Sequence, residues 1–428
     1  MFAARLGQGL ARRAVTGRWG RLSLNADAQP PFPDHLRRVG LYLHVPFCRT
    51  LCPFCPYNRF VYGVREFEDF QRAVCQEIDL YAPHLAGARI TSLYIGGGTP
   101  TVDLPGLVHI VRHLKRSLPP IATIAVELHP AFMDDRCLET LREMGVDMVS
   151  IGVESTADRL LSRIGRGHDS RTALDAVRRA RRAGFDTVNA DLLFALPTQT
   201  VAEWADGVAR VLDAGAHQLS TYPLFCFSYS ELGRTSRLNG VRQPPPAVVR
   251  AMLEVTDRLA TRHGLHRCAV WSWIDGARRK FSSVSRHHYI GFGPSASSMV
   301  GSHFYVNTFD VPAYARSLPA TRPIALSMPM DARREMAYWL YWRMYELFVG
   351  EEEFRELFGR GHSVRGTFGP SIAALCVSGL MERADGGFRV TPAGAYWIHR
   401  AQNHYSLGYI NRLWGACRGA AWPREVVL

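Results

Sequence analysis

The stretch HVPFCRTLCPFCPYNRF, residues 44–60, places Cys48, Cys52 and Cys55 on one short segment of the chain. Three thiols in the spacing C-x3-C-x2-C are typical of a metal-binding loop rather than of a disulfide framework. The apolar run VGLYLHVPF (39–47) directly precedes the first of these cysteines, and its length and composition predict a buried strand. The sequence therefore predicts a metal-binding loop at the end of an early strand of the fold.

The number of thiols separates two kinds of metal site. A structural zinc site takes about four ligands, so three cysteines leave it one ligand short. His44 is close enough in sequence to be the fourth ligand, but it lies on the strand side of Pro46, and the loop lacks the second cysteine pair of a zinc ribbon. A four-iron cluster also needs about four ligands, and three cysteines leave one iron open for a substrate or cofactor. The spacing favours an iron–sulfur cluster held by Cys48, Cys52 and Cys55.

The chain that follows alternates strand-like and helix-like segments. ITSLYIGGGTPT (90–101) is typical of a strand that breaks into three glycines. Helical patterns of about 10 to 15 residues separate such strands as far as about residue 226, which predicts βαβ units and a parallel sheet. At least six strands fit this rhythm, so we expect an α/β fold with a partial (β/α)6 TIM-like barrel. In such barrels the chemistry lies at the carboxyl ends of the strands.

The carboxyl-terminal part of the chain has a different pattern, in which helices dominate from about Asp331. The stretch IAALCVSGLMERADGGFRVTPAGAYW (372–397) predicts a helix, a two-stranded wing that turns at 385–387, and a second helix. This pattern indicates a winged-helix-like module. DNA binding is one interpretation of it, and a packing or substrate-covering domain is the one we favour, because a fold does not imply a function.

These patterns predict four regions. A basic amino-terminal extension covers residues 1–37, the barrel core covers 38–230, an extension that completes the active site covers 231–330, and a mostly helical domain covers 331–428. The segment before Asp27 contains five arginines and no acid. That pattern is typical of a transit peptide, of a surface-seeking helix or, as we favour, of a loosely packed lead-in.

The composition restricts location and partners. The chain has 428 residues, a formal charge of +13 and only two lysines, so arginine carries nearly all of the basic charge. The arginines are scattered, which favours composition bias over a nucleic-acid surface. We find no run of about 18 apolar residues that would predict a membrane span. Six of the nine cysteines are widely spread, as in proteins of a reducing compartment, and we expect a cytoplasmic protein.

The cysteine loop resembles the cluster loop of the radical S-adenosylmethionine (SAM) superfamily. Within that superfamily, LYLHVPFC (41–48) resembles the branch related to oxygen-independent coproporphyrinogen dehydrogenase. Further motifs follow in that family's order, and the resemblance covers about residues 38–310: YIGGGTPT (94–101), VELHP (126–130), SIGVES (150–155), IGRGH (164–168), NADLLFALPTQT (189–200) and YIGFGPSASS (289–298).

The resemblance implies a [4Fe–4S] cluster on the three cysteines, SAM bound to the open iron, and an electron donor of flavodoxin or ferredoxin type. It implies that residues at or near the predicted strand ends bind this SAM: Tyr42, Gly97, Gly98, Thr99, Glu127, Glu154, Arg166 and Asp191. Related proteins often carry glutamine at the position of Glu154, so an acid there alters the charge balance beside SAM. The branch also accommodates a second SAM, whose candidate walls are Tyr222, Leu224, Phe225 and Gly293.

Tyr57 separates the activities that the resemblance implies. Coproporphyrinogen-processing relatives carry a further cysteine at this position, and haem chaperones usually have C-x-x-C-D-F there. CPFCPYN (52–58) looks most like the class C radical SAM methylases and cyclopropanating enzymes of natural-product and antibiotic biosynthesis. We therefore expect a methyltransferase or methylene transferase that uses two SAM molecules on an sp2 carbon of a small planar, aromatic or conjugated substrate. Tyr57 and Glu154 are the candidate catalytic residues.

Other activities remain open at this point. Oxidative decarboxylation of a tetrapyrrole propionate is the competing enzymatic hypothesis, and a haem chaperone is the non-enzymatic one. A partner methyltransferase could complete the reaction, and nucleic-acid binding ranks last. Three further residues are candidates, by residue type alone, for controlling the product radical: Cys226, Trp271 and His287.

Overall fold

The computed structural model describes residues 22–26, 30–32, 36–238, 244–282 and 288–428. Most of the predicted amino-terminal extension and the candidate His287 lie outside these ranges.

The strands of the described chain are numbered in chain order. They are β1 (Ser23–Asn25), β2 (Arg38–Val45), β3 (Phe47–Cys48), β4 (Phe60–Val61), β5 (Arg89–Gly97), β6 (Ile124–Leu128), β7 (Met148–Glu154), β8 (Thr187–Phe194), β9 (Gln218–Pro223), β10 (Leu265–Ala269), β11 (Ser272–Asp275), β12 (Tyr289–Phe292), β13 (Ser297–Val300), β14 (His303–Asn307), β15 (Ile324–Pro329), β16 (Phe348–Gly350), β17 (Met381–Ala384), β18 (Gly387–Val390) and β19 (Glu425–Val427).

The helices are numbered in the same way. They are α1 (Val64–Leu85), α2 (Leu104–Ser117), α3 (Asp135–Glu143), α4 (Asp158–Arg163), α5 (Ser170–Arg182), α6 (Val201–Asp213), α7 (Glu231–Leu238), α8 (Pro246–Arg262), α9 (Val311–Ser317), α10 (Ala332–Tyr345), α11 (Glu351–Phe358), α12 (Val364–Val377) and α13 (Pro392–Gly419). No helix of the described residues is long and apolar enough to span a bilayer.

Six adjacent parallel strands form the centre of the fold, in the spatial order β9-β8-β7-β6-β5-β2. The predicted parallel α/β core is therefore confirmed. The strands run in the same direction, so their carboxyl ends meet at one edge. In the register there, Glu127 pairs with Ser150, and Gly152 pairs with Asp191. Polar residues of neighbouring strands are thus brought side by side.

The helices between these strands pack by the pattern that the sequence predicts. In α5 the buried residues recur at spacings of three and four, which places them on one face of the helix. Asp169 caps this helix by accepting a hydrogen bond from the backbone N–H of Thr172. Arginines in its last turn complement the negative end of the helix dipole. The buried face stays on the sheet and the charged face stays in solvent.

The region after the parallel core extends the same sheet. β12 pairs in parallel with β2, and β13, β14 and β15 follow as antiparallel neighbours. β1 joins β15 to β19, so strands from the two ends of the described chain lie side by side at this edge. At the other end of the sheet, β11 pairs antiparallel with β9. The division at residues 230 and 330 remains a prediction.

The carboxyl-terminal helices surround a small core of their own, centred on the buried side chains of Trp339, Phe354 and Phe368. α12, the strands β17 and β18, and α13 reproduce the predicted order of helix, wing and helix. A third strand, β16, pairs with β18, which the sequence pattern did not indicate. α13 is 28 residues long, so it continues well beyond this module. Its final turns return to the barrel.

Candidate functional site

The cysteine loop is closed at its base by two short parallel strands. Phe47 pairs with Phe60, and Cys48 pairs with Val61. The backbone N–H of Phe60 donates to the carbonyl oxygen of Pro46 at 2.7 Å. Residues 48–60 therefore leave and re-enter the fold at the same point, beside the carboxyl end of β2.

The glycine run at the end of β5 supports this loop directly. Gly98 N–H donates to Val45 O at 2.8 Å, and Thr99 N–H donates to Phe47 O at 2.7 Å. Gly97 has φ +111°, and a Cβ there would lie 2.7 Å from the His44 ring. A side chain would not fit, which explains the glycine. The N–H groups of Gly98 and Thr99 are thus occupied, so their predicted contact with the ligand ammonium would use carbonyl oxygens.

The three thiols share an electrostatically coupled environment. Burial raises the pKa of the Cys48 thiol, and it raises the pKa of Cys55 to about 12. Arg166 Nη1 donates to Cys52 Sγ at 3.5 Å, and the positive charge of Arg59 acts on both Cys48 and Cys55. Ionised thiolates in this loop need positive charge beyond these two arginines, and bound iron would supply it.

The loop fits a cluster better than a single metal ion. Within the described ranges, no three His, Cys, Asp or Glu side chains converge on a point that could hold one ion. In a [4Fe–4S] cluster each cysteine binds a different iron, so convergence on a point is not required. Cys48, Cys52 and Cys55 are the residues that would hold the cluster.

His44 connects the first strand to the cysteine loop. Its Nε2 lies 2.8 Å from the carbonyl oxygen of Asn58, which can only accept, so Nε2 carries the proton. Burial lowers the pKa of His44 to about 4, so the ring is neutral near pH 7 and Nδ1 accepts from the Tyr42 hydroxyl at 2.8 Å. Asn58 Nδ2 in turn donates to Phe309 O at 2.8 Å. This chain fixes the Tyr42 hydroxyl and the far side of the loop together.

Two partly buried carboxyl groups lie on β6 and β8: Glu127 is one residue before the end of β6, and Asp191 lies within β8 rather than after it, as the sequence had suggested. Glu127 Oε1 accepts from the Tyr94 hydroxyl at 2.5 Å, and Oε2 accepts from Gly97 N–H at 3.1 Å. Asp191 accepts from Ser150 Oγ at 2.6 Å and from Asn189 Nδ2 at 3.0 Å. Burial raises the pKa of both carboxyl groups, that of Asp191 to about 8. The negative charges of Glu127 and Glu154 also disfavour ionisation of Asp191.

Glu154 and Arg166 complete this group of charges. Glu154 ends β7 with φ +62°, a left-handed conformation that is uncommon for glutamate. Its Oε1 lies 3.8 Å from Arg166 Nη2, which donates to Gly152 O at 2.5 Å. Arg166 Nε is buried and has no hydrogen-bond partner among the described residues. The carboxyl groups of Glu127, Glu154 and Asp191 thus lie close together, and the nearby Arg166 guanidinium retains its Nε–H as a donor.

This arrangement fits SAM. The ligand carries two cationic groups, an ammonium and a sulfonium, and one carboxylate. The surplus of buried acid suits its cations, and the orphaned Nε of Arg166 suits its carboxylate. Strands β5 to β8 and the segment after α4 bring together five predicted residues: Gly97, Glu127, Glu154, Arg166 and Asp191. Their individual roles remain predictions.

The candidate walls of a second SAM have two different sets of neighbours. Tyr222 and Phe225 approach Trp271, with ring centroids 6.1 and 5.8 Å apart, and Leu224 is buried. Gly293 N–H instead donates to the buried Glu77 on α1 at 2.8 Å. A Cβ on Gly293 would lie 2.5 Å from the His44 carbonyl oxygen. The contacts of Gly293 are those of close backbone packing against β2.

A cavity of about 140 Å³ lies between the barrel and the carboxyl-terminal helices and opens to solvent. Strands β5 and β9 contribute Tyr94 and Tyr222 to it, and α10 contributes Tyr341, Trp342 and Tyr345. Tyr57 also lines it and is 44% exposed. The other described lining residues are Ser220, Trp271, Ser272, Lys280, Phe281, Ser282 and Gln402.

Three residues that hold parts of this site in place were not identified as such from the sequence. His44 was weighed only as a zinc ligand, although its place inside the LYLHVPF motif could have drawn attention to it. Tyr94 lies within YIGGGTPT, but nothing in that motif indicates that its hydroxyl donates to Glu127. Arg418 is far from every motif, and no sequence signal could have placed it on the cysteine loop, where it contacts Tyr57 O at 2.7 Å.

Comparison with known proteins agrees with the resemblance. A family model described as the radical SAM superfamily matches residues 42–210. The heme chaperone HemW of Bacillus subtilis is 25% identical over 365 residues, which cover 82% of this chain and 95% of HemW. An oxygen-independent coproporphyrinogen III oxidase of Cereibacter sphaeroides is 31% identical over 189 residues, 43% of this chain and 42% of that protein.

The fold agrees with a solved structure. Coproporphyrinogen III oxidase (HemN) from Escherichia coli superposes with a TM-score of 0.75 at 21% identity, over 89% of this chain and 95% of the enzyme. The predicted fold, a partial barrel with a helical carboxyl-terminal region, is therefore confirmed as one that this chain shares with the enzyme.

The expectation of a class C methyltransferase or methylene transferase is wrong. The relatives above are a haem chaperone and coproporphyrinogen oxidases. The expectation depended on the single position Tyr57, whereas the similarity to the chaperone extends over 82% of the chain. Methylation, cyclopropanation and an antibiotic-biosynthesis role lose their support with it, as does the partner methyltransferase.

Asp191 should make stability depend on pH. Its folded-state pKa is raised from 3.8 to about 8, so the native state binds this proton more tightly than the unfolded state. The contribution to stability is complete below about pH 4 and is lost as the pH rises through about 8. We expect Asp191→Asn to lower the difference in urea midpoint between pH 5 and pH 8, measured on the metal-free protein.

Asp186→Asn is the matched control, because Asp186 is an exposed acid before the same strand. It should retain the wild-type difference. Equal pH dependence in the wild type and in Asp191→Asn would show that this carboxyl group does not carry the effect.

Proposed function

We propose that this chain, a member of the radical SAM superfamily in the branch of coproporphyrinogen oxidases and haem chaperones, is a haem-binding protein of the chaperone type. One observation carries the proposal: the sequence match to the Bacillus subtilis heme chaperone covers 82% of this chain and 95% of the chaperone, whereas the sequence match to the Cereibacter sphaeroides oxidase covers 43% and 42%. Tyr57 departs from the patterns of both groups of relatives, so it does not favour either. Members of the superfamily bind a [4Fe–4S] cluster and SAM and need an electron donor.

The charged side chains of the site have separable tasks. Cys48, Cys52 and Cys55 would hold the cluster, which together with SAM supplies one-electron reductive chemistry when bound. Arg166 binds the SAM carboxylate through its free Nε, which is the donor that the fold leaves unused. Asp191, with its raised pKa, accepts from or donates to a ribose hydroxyl according to its protonation.

The aromatic cavity supports a flat, conjugated ligand. Eight of its thirteen described lining residues are aromatic, and such faces stack on a planar ring system. A tetrapyrrole is larger than the cavity, whose volume is about 140 Å³. We therefore place one edge of the macrocycle in the cavity and the remainder in its open mouth near Tyr57. The carboxyl-terminal helices would then form one wall of the binding site.

Lys280 is the cationic side chain among the described lining residues, and it suits a propionate. Its Nζ lies 2.5 Å from Glu346 Oε1, and Arg343 Nη2 lies 2.7 Å from Glu346 Oε2. Arg343 can therefore keep Glu346 neutralised when Lys280 turns towards a ligand carboxylate. An exchange of this kind avoids leaving an unpaired charge in a partly buried site.

Haem binding without turnover is the direct test. We expect the anaerobically reconstituted protein to bind haem stoichiometrically, seen as a saturating Soret band, and to cleave SAM only at background rate with coproporphyrinogen III. Release of CO2 from coproporphyrinogen III, coupled to SAM cleavage, would instead establish the oxidase activity and contradict the proposal.

Lys280 should contribute to affinity through the propionate alone. We expect Lys280→Met to weaken haem binding about tenfold, as for a lost charge-assisted hydrogen bond. The same variant should bind haem dimethyl ester as the wild type does, because the ester has no carboxylate. Lys115→Met removes the other lysine, which donates to Met144 O and is not among the described lining residues of the cavity, and is the control. Equal losses for haem and its diester would contradict a role in propionate binding.

A further inference from the structure

The last turns of α13 contact two loops of the functional site. Asn411, Trp414 and Arg418 are three and four residues apart, so they lie on one face of the helix. Asn411 Oδ1 accepts from Ser228 N–H at 2.6 Å and from Ser228 Oγ at 2.8 Å. The ring of Trp414 lies 6.1 Å from that of Tyr57. The helix is thus docked between the loop after β9 and the cysteine loop.

Arg418 is the residue of this face that holds the cysteine loop by its backbone. Its Nη2 donates to Tyr57 O at 2.7 Å and to Pro56 O at 3.2 Å. Its guanidinium carbon lies 4.8 Å from the ring centroid of Tyr229, which fixes the orientation of the group. Cys55 directly precedes the two carbonyl groups, so their position determines where its thiol can lie.

The cysteine loop depends on such external donors. One turn bond, from Cys55 N–H to Cys52 O at 3.2 Å, lies within it, and the Arg59 guanidinium adds bonds to Cys52 O and, at 3.3 Å, to Tyr57 O. Other carbonyl groups are held from outside: Pro53 O by Leu232 N–H at 3.0 Å, and Asn58 O by His44 Nε2 at 2.8 Å. A loop that is held mainly by its surroundings loosens when one of these donors is removed.

We propose that Arg418 is a positioning residue for the iron–sulfur cluster. By holding Pro56 O and Tyr57 O, it keeps Cys55 in place and makes retention of the cluster depend on docking of the carboxyl-terminal helix. Its positive charge also acts on Cys55, and Arg59 contributes a second positive charge. The inference goes beyond the proposed function, because it holds for any ligand of the aromatic cavity.

Removal of Arg418 should loosen the loop without undocking the helix. Trp414 and Asn411 hold the helix independently of Arg418, through Phe309 at 5.7 Å between ring centroids and through Ser228. Arg418→Gln deletes the guanidinium and leaves both contacts. We therefore expect this variant to fold with α13 in place.

Hydrogen exchange of the metal-free protein measures the loop directly. We expect amides within residues 52–62 to exchange about tenfold faster in Arg418→Gln, consistent with the loss of charged hydrogen bonds to two carbonyl groups. Amides of α13 and of the barrel strands should keep wild-type rates. Arg418→Lys, which retains the charge without the planar group, should give an intermediate rate. Arg412→Gln is the matched control, since Arg412 is an exposed arginine of the same helix that bonds Gly408 O.

Iron release from the reconstituted protein measures the consequence. With excess chelator under anaerobic conditions, Arg418→Gln should lose iron about tenfold faster than the wild type, by the same loss of charged hydrogen bonds. Arg412→Gln should match the wild type.

Wild-type exchange or wild-type iron release in Arg418→Gln would overturn the proposal. Faster exchange over the whole chain would also overturn it, because that result would indicate a general structural role. If Arg418→Gln does not fold, the same comparison is made with Arg418→Lys, and wild-type behaviour of that variant in both measurements overturns the proposal.

Discussion

A surplus of buried acid at one edge of the parallel sheet is the constraint on which the site depends. Glu127, Glu154 and Asp191 lie on the three adjacent strands β6, β7 and β8, and the Arg166 guanidinium lies 3.8 Å from Glu154 Oε1. Burial raises the pKa of all three carboxyl groups, because no cation of the described residues compensates them fully. A ligand with two positive groups would relieve this cost, so the arrangement of carboxyl groups favours a cationic ligand.

The same edge explains why the cysteine loop lies where it does. The last residues of β5 donate backbone hydrogen bonds to Val45 and Phe47, which ties the loop to the strand that ends beside Glu127. Glycine at 97 and 98 permits this approach, because any Cβ would meet His44 or Phe47. The carboxyl groups and the thiols are therefore neighbours as a result of strand register.

Part of this architecture could be predicted from sequence, since it depends on local patterns. Alternating strands and helices predict the parallel core, and the spacing of Cys48, Cys52 and Cys55 predicts the cluster loop. Contacts between distant segments could not be predicted. No periodicity indicates that Arg418 reaches Tyr57 O across 361 residues, or that Gly293 N–H is bound by Glu77 on α1. The methyltransferase expectation was wrong for a different reason. It depended on one loop residue, Tyr57, whereas the similarity to the haem chaperone extends over most of the chain.

We infer that the three thiols and the carboxyl groups of Glu127, Glu154 and Asp191 form one site for a cluster and SAM. Electron paramagnetic resonance of the anaerobically reconstituted, reduced protein, recorded with and without SAM, tests it most directly. The account predicts about four irons per chain and a [4Fe–4S] signal whose g-values change when SAM is added. A signal that SAM leaves unchanged, at saturating SAM and full iron content, would contradict it.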